Sequence, residues 1–117
     1  KLLQTNGWMP LGTDFPVEDI SPIKTFFAAV VRKDANGFPP NGFHAENALG
    51  RQEALRGITI WAAKAAFEEK EKGSLEKGKA ADFILLDTDL MQCNENQILN
   101  TKVQSVYLNG VKVWGVN

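Results

Sequence analysis

Pro10-Leu11-Gly12-Thr13-Asp14-Phe15-Pro16-Val17-Glu18 is the stretch on which the fold turns. With Trp8 and Met9 ahead of it, residues 8 to 15 read as a short buried strand, apolar until Thr13 and Asp14. Pro10 has no amide to give to a ladder, so the strand is expected to begin at or just after it. Pro16 ends the extended run. One strand cannot form a sheet, and the elements that follow it are helical. Upstream, Leu2-Leu3 and then Asn6-Gly7 read as the tail of a helix stopped by a glycine. The first third of the chain thus has the character of the last turn of something larger, with whatever precedes Lys1 expected to carry the missing neighbours.

Downstream the periodicity changes. Residues 22 to 34 are predicted to be a helix, with Ser21 as cap, Pro22 in first position and a stripe of Ile23, Phe26, Phe27, Val30 and Val31. Ala35 to Gly50 is loop, punctuated by Asn36-Gly37, Pro39-Pro40 and Asn41-Gly42. It is long for a compact domain, and long loops often shape binding sites. Residues 51 to 71 are predicted as one helix, with Ala54, Leu55, Ile58, Trp61, Ala62, Ala65 and Ala66 on its apolar face. Glu68 stands four residues before Lys72, the favourable order for a helical pair, and Gly73 is a natural stop. Leu75, a turn at Gly78 and Phe83-Ile84-Leu85-Leu86 suggest a hairpin with a buried second strand. Asn94 to Leu99 suggests a short helical turn. Val103 to Leu108, the type I′ signal Asn109-Gly110, and Val111, Val113 and Trp114 suggest a closing hairpin.

Composition narrows the function classes. The chain has 117 residues, 44% hydrophobic and 23% charged, the balance of a folded domain in water. A net charge of -1 gives no reason to expect nucleic acid or an anionic membrane as partner. No apolar run is long enough for a membrane span. Nothing near Lys1 resembles a signal peptide, but whatever addresses the parent protein to a compartment is expected upstream of Lys1, so the location is open and cytoplasmic stands only as the default. Cys93 and His44 are each the single residue of their kind. An internal disulfide, a thiolate metal site and a multi-histidine metal site are therefore excluded for this chain alone.

Asp14 stands where the apolar run ends. In a (β/α)8 barrel the C-terminal strand ends face the active site, and a carboxylate there can bind a metal or accept a proton. A strand-end aspartate making turn or cap hydrogen bonds is the plainer alternative.

The Pro10–Glu18 stretch resembles the eighth-strand motif of the amidohydrolase superfamily, in which Gly-Ser/Thr-Asp-x-Pro recurs. The run Gly73-Ser74-Leu75-Glu76-Lys77-Gly78-Lys79-Ala80-Ala81-Asp82 is similar to that family's Gly-x-Ile/Leu-x-x-Gly-x-x-Ala-Asp signature. Gln52-Glu53-Ala54-Leu55-Arg56 with Thr59 resembles the helix between the two, and Val106 to Val113 the closing hairpin. Within the superfamily the wording Asp-Phe-Pro-Val-Glu and the loop before Glu46-Asn47 resemble the amidohydrolase 3 or YtcJ-like branch, which includes proteins like N-substituted formamide deformylase.

The resemblance implies an α/β fold: residues 1–72 as the last strand and helices of a TIM-type (β/α)8 barrel, and residues 73–117 as strands of a C-terminal β-sandwich. It implies that Asp14 is both a metal ligand and the general base on the attacking hydroxide. The divalent metal is expected to be zinc, and the substrate a small amide-like molecule cleaved at a C–N bond. The family's His-x-His, its bridging lysine or acidic residue and its later histidines are absent and are expected upstream of Lys1. The partner is thus the remainder of the parent chain, and the chain alone is expected to be inactive, to bind zinc weakly and to self-associate. Gly50 replaces the family's usual Thr or Ser cap, which predicts a looser helix start at Arg51.

Other polar residues have plainer readings. His44 is expected as a solvated loop histidine rather than a pocket-lining one. Glu18 and Asp19 lie near enough to Asp14 in sequence to line its pocket, but Asp19 or Ser21 is expected to cap the next helix. Phe26, Phe27 and Trp61 fall at core spacing, and Asp82 fits a turn role. The rival to an amidohydrolase part is a free-standing small α/β module that binds or scaffolds without catalysis.

Overall fold

The computed structural model describes residues 1–115; the last two residues of the predicted C-terminal part lie outside that range. The chain runs through α1 (Leu2–Asn6), α2 (Pro22–Val31), a 3-10 turn (Ala45–Asn47), α3 (Arg51–Ile58), α4 (Ile60–Ala65), β1 (Phe83–Leu86), α5 (Glu95–Ile98), β2 (Val103–Leu108) and β3 (Val111–Gly115).

Local chemistry explains the helix ends. Gly7 closes α1 in the left-handed region at φ 77°, its amide donating to the Leu3 carbonyl at 2.7 Å. Ser21 Oγ accepts from the Lys24 amide at 3.4 Å and Pro22 opens α2, as predicted. The helix ends three residues short of the expected 34, because Arg32 turns left-handed at φ 59°. Its guanidinium donates to the Phe43 carbonyl at 3.0 Å and so braces the following loop against the helix end. At α3 the missing Ser or Thr cap is offset from the other side: a Glu53 carboxylate oxygen accepts from the Gly50 amide at 2.7 Å. That is one half of a capping box, the half that needs no side chain at the cap itself.

The single helix predicted over 51–71 is broken. Thr59 sits at φ -126°, ψ -98°, and its hydroxyl donates to the Leu55 carbonyl at 2.7 Å. Gly57 and the β-branched run Ile58-Thr59-Ile60 lower helix propensity at this point, and such back-bonding by threonine bends helices. The apolar stripe persists through the bend, so periodicity alone does not reveal it. The Glu68–Lys72 ion pair forms at 2.7 Å, but in a turn beyond the helix rather than on it.

The three strands make one antiparallel sheet in the order β1-β2-β3. Asn109 and Gly110 both take positive φ, 50° and 76°, as a type I′ turn requires. The hairpin predicted around Leu75 and Gly78 is absent. Residues 74–79 are tied locally instead: Lys79 Nζ reaches Ser74 Oγ and Glu76 Oε2, each at 2.6 Å, and the Ser74 hydroxyl donates to that same carboxylate oxygen at 2.7 Å. β1 pairs with β2, through Phe83↔Tyr107 and Ile84↔Val106. Nor is β1 a buried strand, since Ile84 and Leu85 stay 44% and 47% exposed.

Residues 8–14 are the main departure. They run as an irregular segment and form no strand among the described residues. A strand requires a neighbour to pair with, and the strands described here all lie at or beyond Phe83. The segment lies instead against α3, where the Leu11 amide donates to the Gly57 carbonyl at 2.9 Å. The core is mostly helical: Phe26 and Phe27 of α2, Ala54 of α3 and Ile98 of α5, joined by Leu90 from the turn after β1, are drawn from both sides of residue 72. Fold class is therefore α/β, a small unit with a three-stranded antiparallel sheet.

Candidate functional site

Asp14 ends the 8–14 segment in the left-handed region, at φ 54°. Aspartate tolerates that conformation better than most residues. Its carbonyl accepts from the Val17 amide at 2.8 Å and from the Glu18 amide at 3.4 Å, which closes a turn over Phe15-Pro16. The turn uses only the backbone of Asp14. Its carboxylate is exposed and has no hydrogen-bond partner among the described residues. The turn expected of a strand-end aspartate is thus made by its backbone and not by its side chain.

A cleft of about 490 Å³ opens beside this segment. Met9, Leu11 and Thr13 of the segment and Thr25, Ala28 and Arg32 from α2 and its end are among the residues that line it. Glu18 and Asp19 border it, while Asp14 does not. Asp19 is already engaged: it accepts from the Ser21 amide at 2.9 Å and from Lys24 Nζ at 2.6 Å. The lysine ammonium, more than the amide, holds its carboxyl below the usual range. That suits a helix-start brace and not a proton acceptor.

His44 is exposed in its loop and pairs through Nδ1 with Glu46 Oε1 at 3.0 Å, with its ring edge against Phe43. Asp82 takes the turn role expected of it, accepting from the Asn109 amide at 2.8 Å. Cys93 lies half-buried beside the Arg51 guanidinium at 3.7 Å, against the core. Among the described residues no three His, Cys, Asp or Glu side chains gather as a metal site would require. A catalytic zinc takes about three protein ligands, so the described residues do not by themselves fit one. Gly57, whose carbonyl accepts from the Leu11 amide at 2.9 Å, was not singled out by the sequence, where a lone glycine in a helical pattern reads only as a propensity cost.

Residues 1–114 match the amidohydrolase family. This chain belongs to that family. Among curated relatives, it is 34% identical to protein LONG AFTER FAR-RED 3 of Arabidopsis thaliana over 97% of this chain and 19% of the relative. It is 34% identical to N-substituted formamide deformylase of Arthrobacter pascens over 94% of this chain and 20% of the relative. YtcJ of Bacillus subtilis, itself named as an amidohydrolase, is 26% identical over 88% of this chain and 20% of that protein. The chain thus spans about a fifth of the length of the curated relatives it matches. No solved structure matches it. Asp14, with its exposed carboxylate, lies within the matched residues.

Proposed function

We propose that this chain is the C-terminal part of a metal-dependent amidohydrolase that cleaves a C–N bond in an amide-like small molecule. Asp14 supplies one metal ligand and the general base. The observation that carries this is the division of labour at Asp14: backbone fixed in a turn, carboxylate exposed and unbonded, at the tip of the family motif. A carboxylate so held is available to accept a proton from water as that water adds to a carbonyl carbon. The family's divalent metal, zinc by expectation, would polarise that carbonyl and lower the pKa of the water. Its other ligands belong to the rest of the parent chain. The C–N bond class is supported by the formamide deformylase among the relatives.

Asp14→Asn in the parent protein is the test. Asparagine also tolerates positive φ, so the turn is kept while proton acceptance is lost. Turnover, followed as formate release from a simple N-alkylformamide, should fall about a hundredfold or more. A variant with near-normal turnover would reduce Asp14 to a turn residue. On its own, the chain should take up zinc no better than its Asp14→Ala variant does. Micromolar uptake that depends on Asp14 would overturn the view that the site is shared with the rest of the parent.

A further inference from the structure

Gly57 has no side chain, and the 8–14 segment uses the space. A Cβ built there would lie 2.7 Å from Leu11 Cγ, 2.8 Å from Leu11 Cδ1 and 3.3 Å from the Met9 carbonyl oxygen. The first two distances are well inside carbon–carbon contact, and the third involves backbone. At the same place the Leu11 amide donates to the Gly57 carbonyl at 2.9 Å. The segment is therefore held to α3 by one hydrogen bond and one close apolar contact at a single residue, three positions before Asp14.

We propose that Gly57 is a positioning residue for Asp14, acting through Leu11. This rests on the reading of Asp14 as the reacting carboxylate. Leu11 is partly buried and packs on the core cluster. A methyl group at Gly57 forces the Leu11 side chain to turn into the cleft and off that core, or forces the segment away from α3. The second movement carries Asp14 with it, because only Gly12 and Thr13 intervene. Displacement of a reacting group by about 1 Å is enough to cost on the order of a hundredfold in rate.

In a helix without such a neighbour, glycine-to-alanine substitution is favourable. A loss on Gly57→Ala therefore reports the contact and not the helix. Two measurements test the proposal. In the 117-residue chain, amide exchange at Leu11 should quicken at least tenfold in Gly57→Ala and return towards the natural rate in Gly57→Ala/Leu11→Ala, where the opposing side chain is removed. In the parent protein, Gly57→Ala should lower kcat for an N-alkylformamide at least tenfold with KM changed less than about twofold, and the added Leu11→Ala should restore most of it. Unchanged exchange and kcat in Gly57→Ala would overturn the proposal, as would a loss that Leu11→Ala does not relieve. If Gly57→Ala fails to fold in the parent, Leu11→Ala alone is compared with the natural protein. With the glycine kept, Leu11→Ala leaves that space empty and kcat should fall severalfold, whereas in the double variant the methyl group added at position 57 fills part of it; no change in Leu11→Ala would overturn the proposal. An active Asp14→Asn variant together with altered Leu11 exchange would leave the contact standing and remove only the catalytic role of Asp14.

Discussion

The carboxylate of Asp82 accepts the backbone amide of Asn109 at 2.8 Å, so the residue that leads into β1 holds the turn between β2 and β3. The Gly110 amide adds a second tie, to the Ala81 carbonyl at 2.9 Å. The aspartate that ends the 73–82 run thus serves as a clasp between distant parts of the sheet. Asp82→Ala should destabilise the chain by about 1 kcal/mol, the net worth of one such hydrogen bond at an exposed site. The urea midpoint should shift down, and an unchanged midpoint would mean that the Ala81–Gly110 bond holds the turn unaided.

Acid should loosen the junction between β1 and β2 through Asp87. Its carboxyl is held below the ordinary 3.8, first by the Lys102 amide and then by the Thr88 hydroxyl. The contribution to stability is therefore fully present above that ordinary value and is lost as pH falls through the depressed one. Asp87→Asn should leave a stability profile that falls less steeply below about pH 4 than the natural chain's. Profiles that superimpose would assign the acid sensitivity to other carboxylates.

The chain on its own should self-associate through its sheet. Ile84, Val106 and Trp114 are cross-strand partners in one row, and Leu108 and Val111 form the next pair on the same face. Trp114 is 58% exposed and Val111 64%. β1 and β3 each have an open edge among the described residues, and open edges template pairing with another chain. A second copy satisfies both the edge and the apolar face. Light scattering should give an apparent mass that rises with concentration, and Trp114→Lys should reduce that rise. A monomer at millimolar concentration would show the sheet face to be stable in water.

Where a local rule decided the structure, the sequence announced it. Ser21-Pro22 with the Phe26-Phe27 stripe led to α2, and Asn109-Gly110 led to a type I′ turn. The helix bend at Thr59 was hidden because the apolar stripe runs through it, so the pattern of burial is the same for a straight helix and a bent one. The 8–15 stretch has the composition of a strand, but pairing depends on neighbours and not on composition. At the candidate site, the motif singled out Asp14 as a residue type in a context. It could not show that the turn occupies its backbone and leaves its carboxylate exposed. The cleft was equally invisible, since it depends on how α2 stands against Met9, Leu11 and Thr13, and the residue expected to react is not among those that line it.

Gly73 opens the 73–82 run at φ 90°, and a Cβ there would stand 2.7 Å from Ala63 Cβ, 3.0 Å from Ile60 Cα and 3.2 Å from the Thr59 carbonyl oxygen. Every one of those atoms belongs to the bent part of the helix. The first residue of that run is therefore a spacer, set by how closely a returning chain must pass a kinked rod. Its last residue, Asp82, is a clasp. A run bounded at one end by a spacer and at the other by a clasp works as a joint: what it sets in this chain is the path from the bent helix into the sheet.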